Sequence, residues 1–217
     1  MKGRFYFLVI AISFCCLMLA CNSVYTSKKK GYFYLELPPH QYTSFNRPGF
    51  PYTFDYPVYA DIIQDSTYFD STPENDYWVN IDFPQFGAKI FLSYKIVGGK
   101  AIYKVKQADG NYRDSAGINY YDNMVNDAFN LTNKNEVVAT SIRDSLFTNP
   151  LGVSGVSFRV GGNAATARQF FVTDTARHFL RGALYFSATP NADSIRPVQD
   201  FLQKDIDHLI NTFQFRD

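Results

Sequence analysis

The three cysteines of the chain, Cys15, Cys16 and Cys21, lie within seven consecutive positions near the N-terminus. From residue 22 onward the sequence contains no cysteine, so this part can form neither a disulfide nor a cysteine-based metal site. A fold without such crosslinks depends on a hydrophobic core. The sequence supplies 21 Phe, 16 Tyr and one Trp, side chains that each bury a large area, and it is long enough for one sizeable core or two small ones.

The N-terminal residues have the layout of a bacterial export signal. Lys2 and Arg4 precede an uncharged run at 5–20, which is shorter than the roughly 20 apolar residues of a transmembrane helix. The following Met-Leu-Ala-Cys, ending at Cys21, resembles the lipoprotein box, in which the cysteine sulfur accepts a diacylglyceryl group. We therefore predict lipidation at Cys21. An uncleaved anchor with incidental cysteines remains the alternative.

The sequence gives no indication of nucleic-acid binding. The formal net charge is +1, and loss of Lys2 and Arg4 with the signal would change it to −1. Nucleic-acid binding requires a basic excess that this chain lacks. The basic run at 28–30 either touches anionic lipid headgroups or is a solvated spacer. The predicted organisation has three parts: a lipoprotein signal peptide at 1–20, a lipidated tether at 21–30 and a single domain at 31–217.

Hydrophobic periodicity predicts a sheet with helices packed on it. Apolar residues alternate with polar ones at 77–84 and 88–97, which is typical of strands with one buried face. At 121–132 the apolar residues instead follow helical spacing. Segment 136–147 is ambiguous between helix and strand. Further predictions are β-rich runs at 153–160, 168–173 and 178–187 and a closing helix within 190–213.

The order of these elements predicts the fold class. Strands, a helix, strands and a final helix indicate an α+β fold, in which an antiparallel β-sheet carries two main helices. The element order is also similar to the layered sandwich of the PsbP/Mog1 kind. That likeness rests on element order alone.

The sequence contains no recognisable catalytic or metal-binding motif. His40, His178 and His208 lie far apart and show no ligand spacing. Ser154 is followed directly by Gly155, so it lacks the spacing of a nucleophile elbow. The Gly-rich stretch at 161–167 precedes a strand, and a phosphate-binding loop should instead open a helix. We predict no enzymatic activity, no metal and no cofactor.

Basic residues on a largely apolar strand indicate a candidate interaction surface. Alternation along 178–186 predicts that His178 and Gly182 share one face and that Arg181 lies on the other. Arg181 needs backbone carbonyls or a carboxylate such as Asp174, Asp205 or Asp207 as partners, or it anchors a partner or ligand in a groove. Gly182 would allow close approach of another group. The predicted surface consists of Gly161, Gly162, Asn163, Arg168, His178 and Arg181.

Several segments together are similar to one known family. Residues 25–38, 56–60, 78–95, 160–186 and 190–215 resemble, in order and spacing, the gliding-motility lipoprotein GldD family of the Bacteroidota. No acidic cluster of the kind found in surface-exported lipoproteins follows Cys21, which favours a domain facing the periplasm. The resemblance implies an outer-membrane lipoprotein, acylated with diacylglycerol and palmitate. It also implies protein partners in the gliding and type IX secretion machinery. It brings no catalytic residues, and only Cys21 takes a role from it.

Two functional hypotheses remain open at this point. The first is a non-catalytic assembly or interaction module held at the membrane by the lipid on Cys21. The alternative is a periplasmic hydrolase or ligand-binding protein acting on cell-envelope glycan. For the alternative, Asp55, Asp61 and Asp82 could supply the carboxylates that glycoside hydrolysis requires.

Overall fold

Antiparallel strands, several of them with alternating apolar and polar residues, are the main regular elements of the described residues. The computed structural model describes residues 35–64, 73–187 and 192–216, so the predicted signal peptide and tether lie outside the described residues. In chain order the elements are β1 (Tyr42–Phe45), β2 (Tyr52–Pro57), β3 (Asp61–Gln64), β4 (Val79–Phe83), a short 3-10 helix (Pro84–Phe86), β5 (Ala88–Ile96), β6 (Lys100–Lys106), β7 (Tyr112–Ile118), α1 (Tyr121–Asn133), β8 (Ala139–Thr148), β9 (Ser154–Gly162), β10 (Arg168–Thr173), β11 (His178–Phe186), α2 (Ala192–Thr212) and β12 (Gln214–Phe215).

A seven-stranded sheet with the order β3-β4-β5-β11-β10-β9-β8 is the centre of the fold. Every neighbouring pair in it is antiparallel. The sheet therefore has two faces, each built from alternate residues of its strands. The central strand β11 shows the division, because Leu180 and Leu184 join one hydrophobic cluster and Phe179 joins the other.

The larger cluster lies between this sheet, α2 and a second sheet of order β1-β2-β12. Helix α2 contributes the apolar stripe that its sequence predicts, including Leu202, Ile206 and Leu209. Gly182 permits the close approach expected of it. A Cβ atom at this position would lie 2.3 Å from the ring of Phe170, so the ring fills the space that a side chain would need.

The smaller cluster covers part of the opposite face. Met124 and Ala128 of α1 are buried there against aromatic and aliphatic side chains of the sheet. Because α1 has only 13 residues, its length is about 20 Å, and it covers only part of this face, against β9, β10 and β11. The sheet residues packed against it are Val156, Phe158, Phe171 and Phe179.

Strands β6 and β7 form a separate two-stranded ribbon, which we call the ribbon (residues 100–118). Its strands pair with each other and with no other described strand. The side chain of Tyr103 packs over Gly117, and its hydroxyl donates a hydrogen bond to the carbonyl of Ile118 at 2.8 Å. Most other side chains of the ribbon are exposed, so its stability depends chiefly on cross-strand pairing.

The α+β fold class and the antiparallel sheet with two helices are confirmed. The strands predicted near 79–83, 88–96 and 168–173 are present, as is the helix at 121–133. The ambiguous segment 136–147 forms most of strand β8. The sequence analysis missed the ribbon, because its alternating residues have no buried face to mark them.

Candidate interaction surfaces

Asp205 of α2 is the most completely buried carboxylate among the described residues and is only 2 % exposed. Its Oδ1 lies 2.7 Å from Nδ1 of His40 and accepts a hydrogen bond of 3.0 Å from the hydroxyl of Tyr42. Its Oδ2 accepts a hydrogen bond from the hydroxyl of Tyr59. A buried charge is tolerated when donors satisfy it in this way, so the three donors explain why Asp205 can be buried.

The two tyrosines remain donors at neutral pH. Burial raises the pKa of Tyr42 to about 12, and the charge of Asp205 adds to the shift. Burial also raises the pKa of Tyr59, with the hydrogen bond to Asp205 as the next cause. Protonated hydroxyls therefore face the carboxylate over the whole physiological range. We call Asp205, His40, Tyr42 and Tyr59 the Asp205 cluster.

His40 and His208 come close to the same tyrosine, which the sequence analysis did not predict. The His208 ring stacks on the Tyr42 ring with centroids 3.6 Å apart, and the His40 ring is stacked 6.5 Å from the same ring. Nε2 of His208 lies 3.5 Å from Oδ2 of Asp55. These contacts fasten the segment leading into β1 to helix α2.

A second polar network holds the base of the ribbon. Nζ of Lys95 lies 2.6 Å from Oε1 of Glu74, and the side-chain amide of Asn119 donates to Oε2 of Glu74 at 3.0 Å. Asn119 also donates to the carbonyl of Lys100 at 3.2 Å. Asn119 precedes α1 and Lys100 opens β6, so this network fixes the point at which the ribbon leaves the domain.

The structure separates the basic residues of the predicted surface. Arg168 is 2 % exposed, and its Nη2 donates to Oδ1 of Asp207 at 2.8 Å on the α2 side of the sheet. Arg181 lies on the α1 side, where its Nη2 donates to Oε1 of Gln169. Asp207 was one predicted partner of Arg181, but here it pairs with Arg168. The alternation of β10 and β11 places the two arginines on opposite faces.

His178 is also too buried to belong to an exposed surface. It is 7 % exposed, its Nδ1 lies 2.6 Å from the hydroxyl of Tyr94, and its ring stacks on Phe215. Gly161, Gly162 and Asn163 do reach the surface at the opposite end of β10. The six predicted residues therefore do not form one continuous exposed patch.

The ribbon presents an exposed surface of mixed character. Residues directly opposite one another in antiparallel strands point to the same side, so the register assigns Ile102 and Ala116 to one face and Tyr103 and Ser115 to the other. Ile102 is 61 % exposed and Tyr112 is 66 % exposed. We call the first of these faces the apolar-basic face; it comprises Lys100, Ile102, Lys104, Lys106, Tyr112, Asp114, Ala116 and Ile118.

The three carboxylates considered for glycan hydrolysis do not converge. Asp55 lies on β2, where it accepts a hydrogen bond of 2.5 Å from Ser44. Asp61 and Asp82 lie opposite each other on β3 and β4, in the other sheet. Oδ1 of Asp82 is 3.7 Å from Nζ of Lys89, so a neighbouring cation partly balances this pair.

The described residues contain neither a metal-binding cluster nor a membrane-spanning helix. Within 35–64, 73–187 and 192–216, no group of three or more His, Cys, Asp or Glu side chains is arranged to hold a metal ion. In the same part of the chain, no helix is both long and apolar enough to cross a membrane.

Comparison with known proteins identifies the family. Residues 22–215 match the family model described as gliding motility lipoprotein GldD. The chain belongs to this family. It is therefore a lipoprotein related to gliding motility, and the resemblance noted in the sequence is confirmed. The match extends over the ribbon and over both helices, so the features described above lie within the family domain.

Other comparisons add little beyond this assignment. No curated protein matches the chain significantly. Among solved structures, the solution structure of cyanobacterial PsbP (CyanoP) from Synechocystis sp. PCC 6803 is similar, with 10 % sequence identity and a TM-score of 0.40. The alignment covers 87 % of this chain and 98 % of that chain.

Proposed function

We propose that this lipoprotein is a non-catalytic interaction module of the gliding and type IX secretion machinery. In this proposal a lipid on Cys21 anchors it to the outer membrane, and its domain faces the periplasm. Family membership supports the link to gliding motility. The described residues contain no convergent acid–base site, which is compatible with a role in binding a protein partner.

The ribbon is the observation that carries the proposal. It exposes Ile102, Tyr112 and Ile118 on the apolar-basic face. Exposed aliphatic and aromatic side chains on a two-stranded ribbon add little to the stability of the fold. Aromatic and aliphatic residues flanked by charges are typical of protein contact surfaces. The contacts of Glu74 with Asn119 and Lys95 hold the base of the ribbon in place, and this reduces the entropy lost when a partner binds.

Gliding cells provide the test. Replacement of Ile102 and Ile118 together by Ser should abolish or strongly reduce gliding without changing the abundance of the protein in the membrane fraction. The matched control is Val58→Ser, because Val58 is also an exposed aliphatic residue but lies outside the ribbon, between β2 and β3. Normal gliding of the ribbon variant would refute a role for this face.

Crosslinking can identify the contact directly. A photoreactive amino acid at Tyr112 should capture a defined envelope protein in cells, whereas the same residue at Val58 should not. If both positions capture the same set of proteins, the ribbon is not a specific contact.

The membrane anchor is tested separately. Cys21→Ala should move the protein from the membrane to the soluble fraction and reduce gliding, because the thiol that accepts the lipid is absent. Mass spectrometry of the mature N-terminus provides the check. A membrane-bound Cys21→Ala protein, or an unmodified Cys21, would contradict lipid anchoring.

A further inference from the structure

Three arginines lie side by side across three neighbouring strands. In the register, Arg143 of β8 is opposite Arg159 of β9, and Arg159 is opposite Arg168 of β10. Directly opposite residues point to the same face, and adjacent strands are about 4.8 Å apart. The three side chains therefore leave the same face, the one that packs against α2. We call them the arginine row.

The row has more positive charge than its surroundings balance. Among the described residues, Asp207 is its one ion-pair partner and contacts only the buried end, Arg168. Nε and Nη1 of Arg168 are buried and have no hydrogen-bond partner within the described ranges. Burial lowers the pKa of Arg168 to about 10, with Asp207 opposing and Arg159 adding to the shift. Like charges placed directly opposite each other destabilise a sheet, so an added anion would relieve this arrangement.

The exposed end of the row lies on an open sheet edge. Strand β8 has ten residues and is the last strand of its sheet in the part of the chain that the structure describes. Edge strands are usually short or protected by Lys or Pro, and β8 contains neither residue. Its outer backbone groups can therefore pair with another extended segment.

The other face of β8 offers an apolar contact. Leu146 is 85 % exposed and lies opposite Val156, which places it on the α1 side of the sheet. It lines an open groove of about 490 Å³ together with Val125 and Phe129 of α1. A strand added beside β8 would thus meet arginines on one face and this groove on the other.

We propose that β8 and the arginine row bind an extended, acidic segment of a protein partner, which adds to the sheet as a further strand. A carboxylate of that segment lies beside Arg143, because Arg guanidinium groups bind carboxylates in a matching, charge-assisted geometry. An apolar side chain three positions away lies opposite Leu146. Backbone pairing supplies affinity, and these two side chains supply specificity.

This inference rests on the proposed function and specifies the chemistry of one partner segment. A free phosphate or a lipid headgroup could also bind the guanidinium groups. Neither would use the open backbone of β8 or the groove beside Leu146, so a polypeptide accounts for more of the observed features.

The experiment uses the full mature lipoprotein in detergent micelles and a fluorescent heptapeptide, Thr-Leu-Thr-Thr-Glu-Thr-Thr. In antiparallel pairing its Glu lies opposite Arg143 and its Leu opposite Leu146; the reversed sequence tests parallel pairing. We expect saturable binding by fluorescence anisotropy for one orientation. Hydrogen exchange of the amides at 139–148 should slow when the peptide binds, because backbone pairing protects them.

Charge variants test the contribution of the row. Arg143→Gln with Arg159→Gln should weaken binding about tenfold or more, since each charge-assisted hydrogen bond contributes on this scale. The matched control removes the same charge from two exposed residues of α2 by Arg196→Gln with Lys204→Gln and should change affinity less than about twofold. Circular dichroism should show that both double variants are folded.

Several results would overturn the proposal. These are no saturable binding by either peptide up to about 1 mM, equal binding when Lys replaces the Glu, or full affinity in the arginine variant. Slowed exchange at 139–148 with inorganic phosphate or phosphatidylglycerol vesicles alone would assign the row to a phosphate-bearing ligand instead. If the peptide fails while ribbon variants still lose gliding, only this inference is wrong and the proposed function stands.

Discussion

The Asp205 cluster and the ribbon contain similar side chains but use them in opposite ways. In the Asp205 cluster, tyrosine hydroxyls and a histidine all turn toward one buried carboxylate. On the ribbon, tyrosine, lysine and isoleucine side chains turn outward. The comparison shows that residue type alone does not distinguish a structural site from a contact surface. The number of partners that each side chain has within the protein distinguishes them. Substitution of a side chain with many internal partners should lower stability, whereas substitution of an exposed side chain with few such partners should affect function.

Loss of Asp205 should have the largest effect on stability. Asp205→Ala removes the acceptor of three donors and leaves the hydroxyls of Tyr42 and Tyr59 and the ring of His40 without their partner. A buried donor left without its acceptor costs about 1–3 kcal/mol. We expect the free energy of unfolding, measured by urea denaturation, to fall by about 3 kcal/mol.

The same helix provides the control for this prediction. Asp200→Ala removes an exposed carboxylate from α2 and should change the free energy of unfolding by less than about 0.5 kcal/mol. If both variants are equally stable, the Asp205 cluster does not fasten the N-terminal segment to α2.

Matched glycine substitutions compare how tightly the core and the ribbon are packed, and they should have the next largest effect on stability. Gly182→Ala places a methyl group 2.3 Å from the enclosed ring of Phe170, and overpacking of this kind costs about 1–3 kcal/mol. Gly117→Ala places one 2.5 Å from the ring of Tyr103, which lies at the surface of the ribbon and can move aside. We expect the Gly117 variant to lose less than half as much stability in the same denaturation assay. Equal losses would show that the ribbon is packed as tightly as the core.

Sequence reasoning succeeded where the pattern is local. Alternation along 178–186 correctly assigned Leu180 and Arg181 to opposite faces, and helical spacing located α1. These inferences need only the periodicity of one element and a core for its apolar residues. Gly182 was interpreted correctly for the same reason, since a glycine within an apolar strand indicates close approach of another group.

It failed where the partner is distant in sequence. His40 and Asp205 are 165 positions apart, and no spacing rule connects them. The predicted surface includes both Arg168 and Arg181, but strand alternation places their side chains on opposite faces of the sheet. The arginine row depends on the register of three strands. The ribbon could have been detected from alternation at 100–106 followed by the turn at Asp109-Gly110, a signal that is weak without a buried face.

The buried tyrosines predict a loss of stability at alkaline pH. Burial raises the pKa of both Tyr42 and Tyr94 to about 12, whereas tyrosine in an unfolded chain titrates near 10. The folded state therefore holds these protons more tightly, and the resulting stability is fully present below about pH 10. It should be lost as the pH rises from about 10 through 12. Urea denaturation at stepped pH values tests this, and a stability that stays constant up to pH 12 would contradict the burial of these hydroxyls.

The smallest effect on stability should come from the ribbon. Ile102→Ser with Ile118→Ser removes exposed methyl groups that contact few folded residues, so the free energy of unfolding should change by less than about 0.5 kcal/mol. The same variant is expected to lose gliding. A loss of gliding with unchanged stability separates partner binding from folding, which Asp205→Ala cannot do. If the ribbon variant instead unfolds as readily as Asp205→Ala, these isoleucines support the fold, and the contrast between a closed cluster and an open ribbon is wrong.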